Sequence, residues 1–431
     1  MKILLIITTS GDTFYCSNCF RDNLYAQALR NSGHDVVIMP LYLPLTDSSF
    51  QADTPLFFPA TSFYVAQKFF KKGKMPYFIE KILNSPTLLR WASSMSGTTS
   101  AKGMEKMTLS MITGNDKNFA IQTKKILDWI EDNFQPDIIH LSTSMLTGIA
   151  KAMKNRFNIP VVCSLQDEEI WLDNLEKRYA KEAWNAIGQN SKYIDCFITS
   201  SEYYRSVAFS KVPEIKEISV VYPGVNIEKY KSVDYPKNPT IGFYYRNNYE
   251  NGLDILAQSF VHLKKENSIP CLKLKIGGGY THANKRFINR VRQILQPYIN
   301  DVIWSDHYHL NEHTTFYKDI SLICAPLRFN EAFGLYLSEA FAAGRPAVAP
   351  HTGSFSEIIG NAGLLYEPNN SKQLTEALRT MLTNQSIYDK YKENALQLSL
   401  EKYNDKTAAE KLLKNYFSLS FIVLGESSVS N

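Results

Sequence analysis

Short Val/Ile-rich runs separated by stretches of helical spacing recur along this chain, and that alternation restricts it to an α/β fold with parallel sheets. The first half shows K-I-L-L-I-I, then D-N-L-Y-A-Q-A-L-R-N-S-G with apolar residues at helical intervals, then H-D-V-V-I-M-P-L-Y, D-I-I-H-L-S, P-V-V-C-S-L, D-C-F-I-T-S and I-S-V-V-Y-P-G. These runs are continuously apolar, as in strands covered by helices on both faces. The second half restarts the scheme with T-I-G-F-Y-Y-R, L-K-L-K-I-G-G-G, V-I-W-S-D, S-L-I-C-A-P-L-R and P-A-V-A-P. Between the halves, P-G-V-N-I-E-K-Y-K-S-V-D-Y-P-K-N-P gathers Pro, Lys and Asp without periodicity, as at a domain boundary. A chain of 431 residues exceeds one ordinary core. The expectation is two tandem Rossmann-like, doubly wound domains, residues 1–227 and 228–410, with a helical tail at 411–431.

The alternation lapses between residues 50 and 135, where aromatic and basic residues are punctuated by prolines. There Lys68, Lys71, Lys72 and Lys74 meet no acid until Glu80. Two readings stand: an excursion packed on its own domain with solvated lysines, or peripheral contact with an anionic membrane surface. A net charge of +5 with 21% charged residues is too mild to imply nucleic acid without a clustered basic patch. The N-terminal K-I-L-L-I-I is shorter than a signal-peptide core and reads as a buried strand, and no apolar run reaches the ~18 residues of a membrane span. A cytoplasmic protein follows as the expectation. Of six cysteines, Cys163, Cys196, Cys271 and Cys324 fall in or beside strand-like runs, as buried reduced thiols do, while Cys16 and Cys19 form a lone C-x-x-C with no second pair.

The densest signal is E-A-F-G-L-Y-L-S-E-A-F-A-A-G-R-P, from Glu331 to Pro346. Gly344 and Pro346 end a helix that starts near Phe333 and Gly334, at the carboxyl end of the strand S-L-I-C-A-P-L. Helix amides opening there attract phosphate, and Gly334 has no side chain to obstruct it. Glu331 sits in the loop before the helix. Glu339 lies one turn after Leu335, ~7 Å along the axis from Gly334 at a rise of ~1.5 Å per residue, about one sugar unit from a phosphate. A carboxylate among apolar neighbours needs partners, and a ribose diol supplies two hydroxyl donors. The alternative is that Glu331 complements the helix dipole and Glu339 caps a neighbouring helix.

This stretch is similar to the E-x7-E segment of the retaining glycosyltransferases with the GT-B fold, the group 1, family four enzymes that include sucrose synthases and bacterial mannosyltransferases. H-T-G-S-F-S-E-I-I-G-N-A-G-L-L-Y-E-P, L-R-N-S-G-H-D-V-V and V-Y-P-G-V-N extend the likeness over most of the chain except residues 50–135. The resemblance implies two domains facing each other across a cleft and transfer of a sugar from a nucleotide diphosphate sugar, with retention at the anomeric carbon. It implies that Glu331 holds hydroxyls of the donor sugar and Glu339 the nucleotide ribose. Amides at Phe333, Gly334 and Leu335 would receive the diphosphate. No metal or other cofactor is implied, because basic groups and amides offset the leaving group's charge. A tail helix returning to the first domain is also implied.

Several positions depart from the family pattern. Arg246 stands where a diphosphate-gripping arginine is usual, but Asn251 replaces the lysine five residues on; Arg328 or Lys285 are the candidate substitutes. His140 matches a histidine that contacts the donor sugar, or is a satisfied core residue, and Ser142 replaces its usual partner. Gly11 is single where a glycine pair is common, and would let the backbone approach the donor phosphate. On the acceptor side stand Arg21 or Asp22, the latter alternatively a helix cap, and Asp167 or Glu168 in L-Q-D-E-E-I-W, with Asp167 alternatively a plain N-cap. Gly277–Gly279 borders the donor pocket or makes a tight turn. The acceptor expected is a sugar or lipid-linked hydroxyl of surface-glycan or glycolipid synthesis. The alternatives are a nucleotide-sugar epimerase on the same fold and a nucleotide-sugar-binding protein weakened in catalysis by Asn251 and Ser142.

Overall fold

The computed structural model of the chain describes residues 1–8, 17–41, 54, 101, 103–230, 236–305 and 313–427. They divide into two compact units, one built mainly from Asn18–Val221 and the other from Tyr222–Ala408.

The first unit holds a six-stranded sheet in the order β2-β1-β3-β4-β5-β6. Its strands are β1 (Lys2–Ile7), β2 (Asp35–Pro40), β3 (Ile138–Leu141), β4 (Val161–Leu165), β5 (Cys196–Thr199) and β6 (Ile218–Val220). All pairs are parallel, with Leu5 opposite His140 where β1 meets β3. β3 and β4 are buried throughout, which explains why they read as unbroken apolar runs. Helix α1 (Ser17–Asn31) follows β1 and starts earlier than its apolar periodicity suggests, so Asp22 lies inside the helix and does not cap it. Short α2 (Glu168–Leu172) follows β4, and α3 (Glu202–Lys211) follows β5, its Ser201 cap accepting from the Tyr204 amide at 3.0 Å. The described part of the 50–135 excursion forms helices Glu105–Thr113 and Lys117–Asn133; Lys68, Lys71, Lys72 and Lys74 lie outside the described residues, as do Gly11 and Cys16.

The second unit is also an all-parallel sheet, in the order β12-β11-β10-β7-β8-β9. It contains β7 (Thr240–Tyr244), β8 (Lys273–Gly277), β9 (Val302–Trp304), β10 (Leu322–Cys324), β11 (Ala347–Pro350) and β12 (Gly363–Tyr366). G-L-L-Y thus forms a further edge strand that its short apolar run does not announce. Helix α4 (Leu253–Glu266) places Leu253, Leu256, Phe260 and Leu263 in the core, the spacing of one helical face. Helices α5 (His313–Lys318) and α6 (Leu335–Ala342) flank β10. The last helix, α7 (Asp405–Ser427), joins the first unit from Ala409 onward. Cys163, Cys196, Cys271 and Cys324 are free thiols, but Cys271 is exposed, because it sits in a left-handed turn at φ 57° just before β8 and not within the strand. No helix among the described residues is long and apolar enough to cross a membrane.

Candidate active site

In the second unit the chain runs from β7 outward through β8 and β9, then returns to β10 on the other side of β7. β7 and β10 pair directly, with Leu322 opposite Ile241. The crevice beyond their carboxyl ends is the switch point at which open α/β sheets bind ligands. Arg246 leaves β7 there, and Glu331 follows β10.

The loops around that point are tied together. Asn251 Nδ2 donates to the Arg246 carbonyl at 2.5 Å, and the Asn251 amide to Asn248 Oδ1 at 2.9 Å. Asn251 is therefore a brace of the Arg246 turn, a part that a lysine would not play in this form. The Asn247 amide reaches the Gly279 carbonyl at 2.8 Å, fastening the turn to the glycine loop after β8. From β10, the Arg328 amide donates to the Glu250 carbonyl at 2.8 Å, and its guanidinium grips Asp254 at 2.8 and 2.9 Å while lying 3.9 Å over the Tyr249 ring. Arg328, a candidate substitute for the missing lysine, is thus committed to structure. Lys285 is exposed at the first turn of helix Lys285–Leu295. Burial lowers the Arg246 pKa, with Glu250 and Tyr245 opposing. A guanidinium that has lost part of its hydration gains from an anionic partner.

Glu331 is 1% exposed, and its carbonyl accepts from the Ser354 amide at 3.0 Å. Gly353 packs under it at φ +56°, where an added Cβ would stand 2.7 Å from the Glu331 nitrogen and 2.8 Å from its oxygen. Replacing Gly353 by Ala is expected to cost about 1–3 kcal/mol through left-handed strain and this clash, and to displace Glu331. Urea unfolding and kcat together check it; an unchanged midpoint with unchanged kcat would contradict it. Gly334, at φ 78°, turns the chain into α6, every residue of which is buried. Phe333 and Leu335 are buried beside it, Phe333 stacked 6.3 Å from Tyr222. Within α6, Glu339 is buried and accepts from Tyr317 Oη at 2.9 Å and Tyr230 Oη at 3.3 Å.

In the first unit the expected residues are largely engaged by other groups of the protein. His140 is 1% exposed; its Nδ1 lies 2.6 Å from Tyr416 Oη and its Nε2 2.8 Å from Ser164 Oγ. Burial, with Arg21 adding repulsion, pushes its pKa down to about 3, so the ring is neutral. Contact with a donor sugar would require one of these bonds to be exchanged; the geometry is that of a satisfied core histidine. Arg21 Nη2 pairs with Asp22 at 2.6 Å and donates to the Ser142 carbonyl at 2.9 Å, a buried ion pair turned toward β3. Glu168 accepts from Thr143 Oγ1 at 2.8 Å, from the amides of Ser144 at 3.0 Å and Gln166 at 2.7 Å, and from Tyr204 Oη at 2.8 Å. That set leaves its carboxylate no evident capacity for an acceptor hydroxyl. Asp167 occupies the N-cap position of α2, but at φ 50° and without a side-chain cap bond; its carboxylate instead accepts from Asn18 Nδ2 at 3.3 Å. Neighbouring Glu169, 2.6 Å from Tyr204 Oη, has its pKa raised to about 7, mainly by burial. Glu169 and the tyrosines around Glu339 escape sequence reasoning, since no local spacing links them to their partners.

A family model described as Glycosyl transferases group 1 matches residues 226–398, and one described as Glycosyltransferase Family 4 matches residues 111–229. The chain belongs to the group 1 glycosyltransferases. Among curated proteins, this glycosyltransferase is 25% identical over 309 residues to an uncharacterised glycosyltransferase of Methanocaldococcus jannaschii, covering 70% of this chain and 81% of that one. Among solved structures, a sucrose-phosphate synthase from Thermosynechococcus elongatus aligns at a TM-score of 0.69 and 14% identity, over 97% of this chain and 99% of that chain. The Anabaena HepE protein in complex with UDP aligns at 0.65 and 15%, over 97% and 100%; another structure of HepE holds UDP-glucose. These structural likenesses place the glycosyltransferase in the two-domain GT-B fold. Among its described residues no group of three or more His, Cys, Asp or Glu is arranged to hold a metal.

Proposed function

We propose that this glycosyltransferase takes a sugar from a nucleotide diphosphate sugar and passes it to an acceptor hydroxyl with retention at the anomeric carbon, without a metal. The observation that carries the donor reading is that Arg246 follows β7 and Glu331 follows β10, two strands paired side by side, with Gly334 opening α6 three residues after Glu331. In this reading Arg246 and the amides at Phe333, Gly334 and Leu335 offset the charge of the departing diphosphate. Glu331 holds donor-sugar hydroxyls, and Glu339 holds the ribose. The E-x7-E likeness supports retention, and the UDP and UDP-glucose of the HepE structures make uridine diphosphate sugars the first donors to try. A surface-glycan or glycolipid precursor is the acceptor class proposed.

A thermal-shift screen against UDP, GDP, ADP and their sugars tests the donor. At 100 times its dissociation constant, a ligand confined to the folded state adds about 2.7 kcal/mol, a rise of several degrees. No rise with any nucleotide diphosphate would refute the reading. Turnover unaffected by a chelator and an unchanged anomeric configuration by proton NMR are the expected results for the metal-free, retaining course.

A further inference from the structure

The two phenols on Glu339 are held very differently. Tyr317 is fully buried, with its ring 5.8 Å from Tyr244 and 6.1 Å from Tyr230. Its carbonyl accepts from Arg345 Nε at 2.9 Å, and Arg345, the arginine of G-R-P, is itself 1% exposed. Tyr317 Oη is 2.9 Å from Glu339 Oε2 and 3.1 Å from the Tyr336 carbonyl. Tyr230 is also buried, at 6% exposure, but it ends the short turn Ile227–Lys229, and its Oη meets Glu339 Oε1 at the longer distance of 3.3 Å.

A buried carboxylate needs donors on both oxygens whether or not a ligand is bound. We infer that Tyr317, locked by Arg345, is a positioning residue that aims Glu339, and that Tyr230 is an exchangeable donor which a ribose hydroxyl of the nucleotide replaces on Oε1. This rests on the proposed role of Glu339 at the ribose. It gives G-R-P a part beyond ending α6: the buried arginine fixes the backbone from which the aiming phenol projects. The two tyrosines then have opposite effects. Removing the Tyr317 hydroxyl leaves the carboxylate misaimed and weakens ribose recognition. Removing the Tyr230 hydroxyl removes a competitor and leaves nucleotide binding equal or tighter.

The experiment is calorimetric titration of the full chain with UDP and with its 2′,3′-dideoxy analogue, for the wild type, Tyr317→Phe and Tyr230→Phe. The wild type should bind UDP about ten-fold more tightly than the dideoxy compound. Tyr317→Phe should lose most of that preference, and Tyr230→Phe should keep or increase it. Absence of UDP binding, or equal binding of both nucleotides by the wild type, would sink the ribose role of Glu339 itself. A wild type that prefers UDP, with Tyr317→Phe keeping the full preference or Tyr230→Phe losing it, would overturn the division of labour while leaving that role standing. Thermal unfolding of each variant separates a general loss of fold, which would weaken both nucleotides equally and also count against the inference.

Discussion

Substituting Glu331 by Gln is expected to lower kcat by about 10²–10³-fold, some 3–4 kcal/mol of transition-state stabilisation, while binding of UDP changes little. The asymmetry follows from the proposed division of the site: Glu331 meets the sugar, whereas the diphosphate rests on Arg246 and the start of α6. Glutamine preserves size and one acceptor oxygen but removes the negative charge that an electron-poor sugar carbon would feel. The fold should survive, because the backbone of Glu331, and not its carboxylate, takes the bond from the Ser354 amide and packs on Gly353. Initial rates with a uridine diphosphate sugar, beside calorimetric UDP binding, measure the split. A variant with near-normal kcat would remove Glu331 from the chemistry; one that loses UDP binding to the same degree as rate would place it at the nucleotide instead.

Two buried groups in the first unit pull stability in opposite directions across the mildly acidic to neutral range. His140 is buried neutral with a pKa lowered to about 3 from 6.5. Below pH 6.5 the unfolded chain binds a proton that the folded one refuses, so the stability present above 6.5 drains away as pH falls toward 3. The loss amounts to about 2 kcal/mol between pH 7 and pH 5. Glu169 acts in the opposite sense. Its pKa is raised to about 7 from 4.5, chiefly by burial, with the Tyr204 bond opposing and Asp167 adding to the rise. The folded state therefore holds a proton that the unfolded state releases, and its contribution fades between pH 4.5 and 7, costing about 1–2 kcal/mol once its partial exposure is allowed for. Urea unfolding at intervals from pH 5 to 8 tests both. His140→Asn should leave only the decline toward neutral pH and Glu169→Gln only the decline toward acid; parallel curves for wild type and variants would contradict the assignment.

The architecture was largely legible because strands covered on both faces leave contiguous Val/Ile runs, and because Gly344 and Pro346 punctuate α6. β12 is not legible in the sequence: G-L-L-Y is four residues at a sheet edge, too short to show a period. Residues whose part depends on local chain geometry, such as Gly334 opening α6, could be placed from spacing. Glu339 could be placed, but its tyrosine partners could not, since Tyr230 is brought to it only by the fold. Arg21, Glu168 and His140 show the converse limit. Each looked available for a ligand in the sequence, and each is engaged by residues distant in the chain: Ser142, Thr143 and Tyr416 respectively. Residue type and position at a strand end do not reveal which polar groups satisfy one another.

The Arg328 clasp bears on how fast a donor is accepted. It fastens the turn after β7 to the segment after β10 through Asp254, Tyr249 and Glu250, by contacts within the protein alone. The groups those two segments carry therefore hold their spacing beforehand, and little chain entropy remains to be lost there when a donor arrives. Nucleotide capture within this domain should accordingly resemble docking into a rigid mould, with a single kinetic phase whose rate rises in proportion to nucleotide concentration.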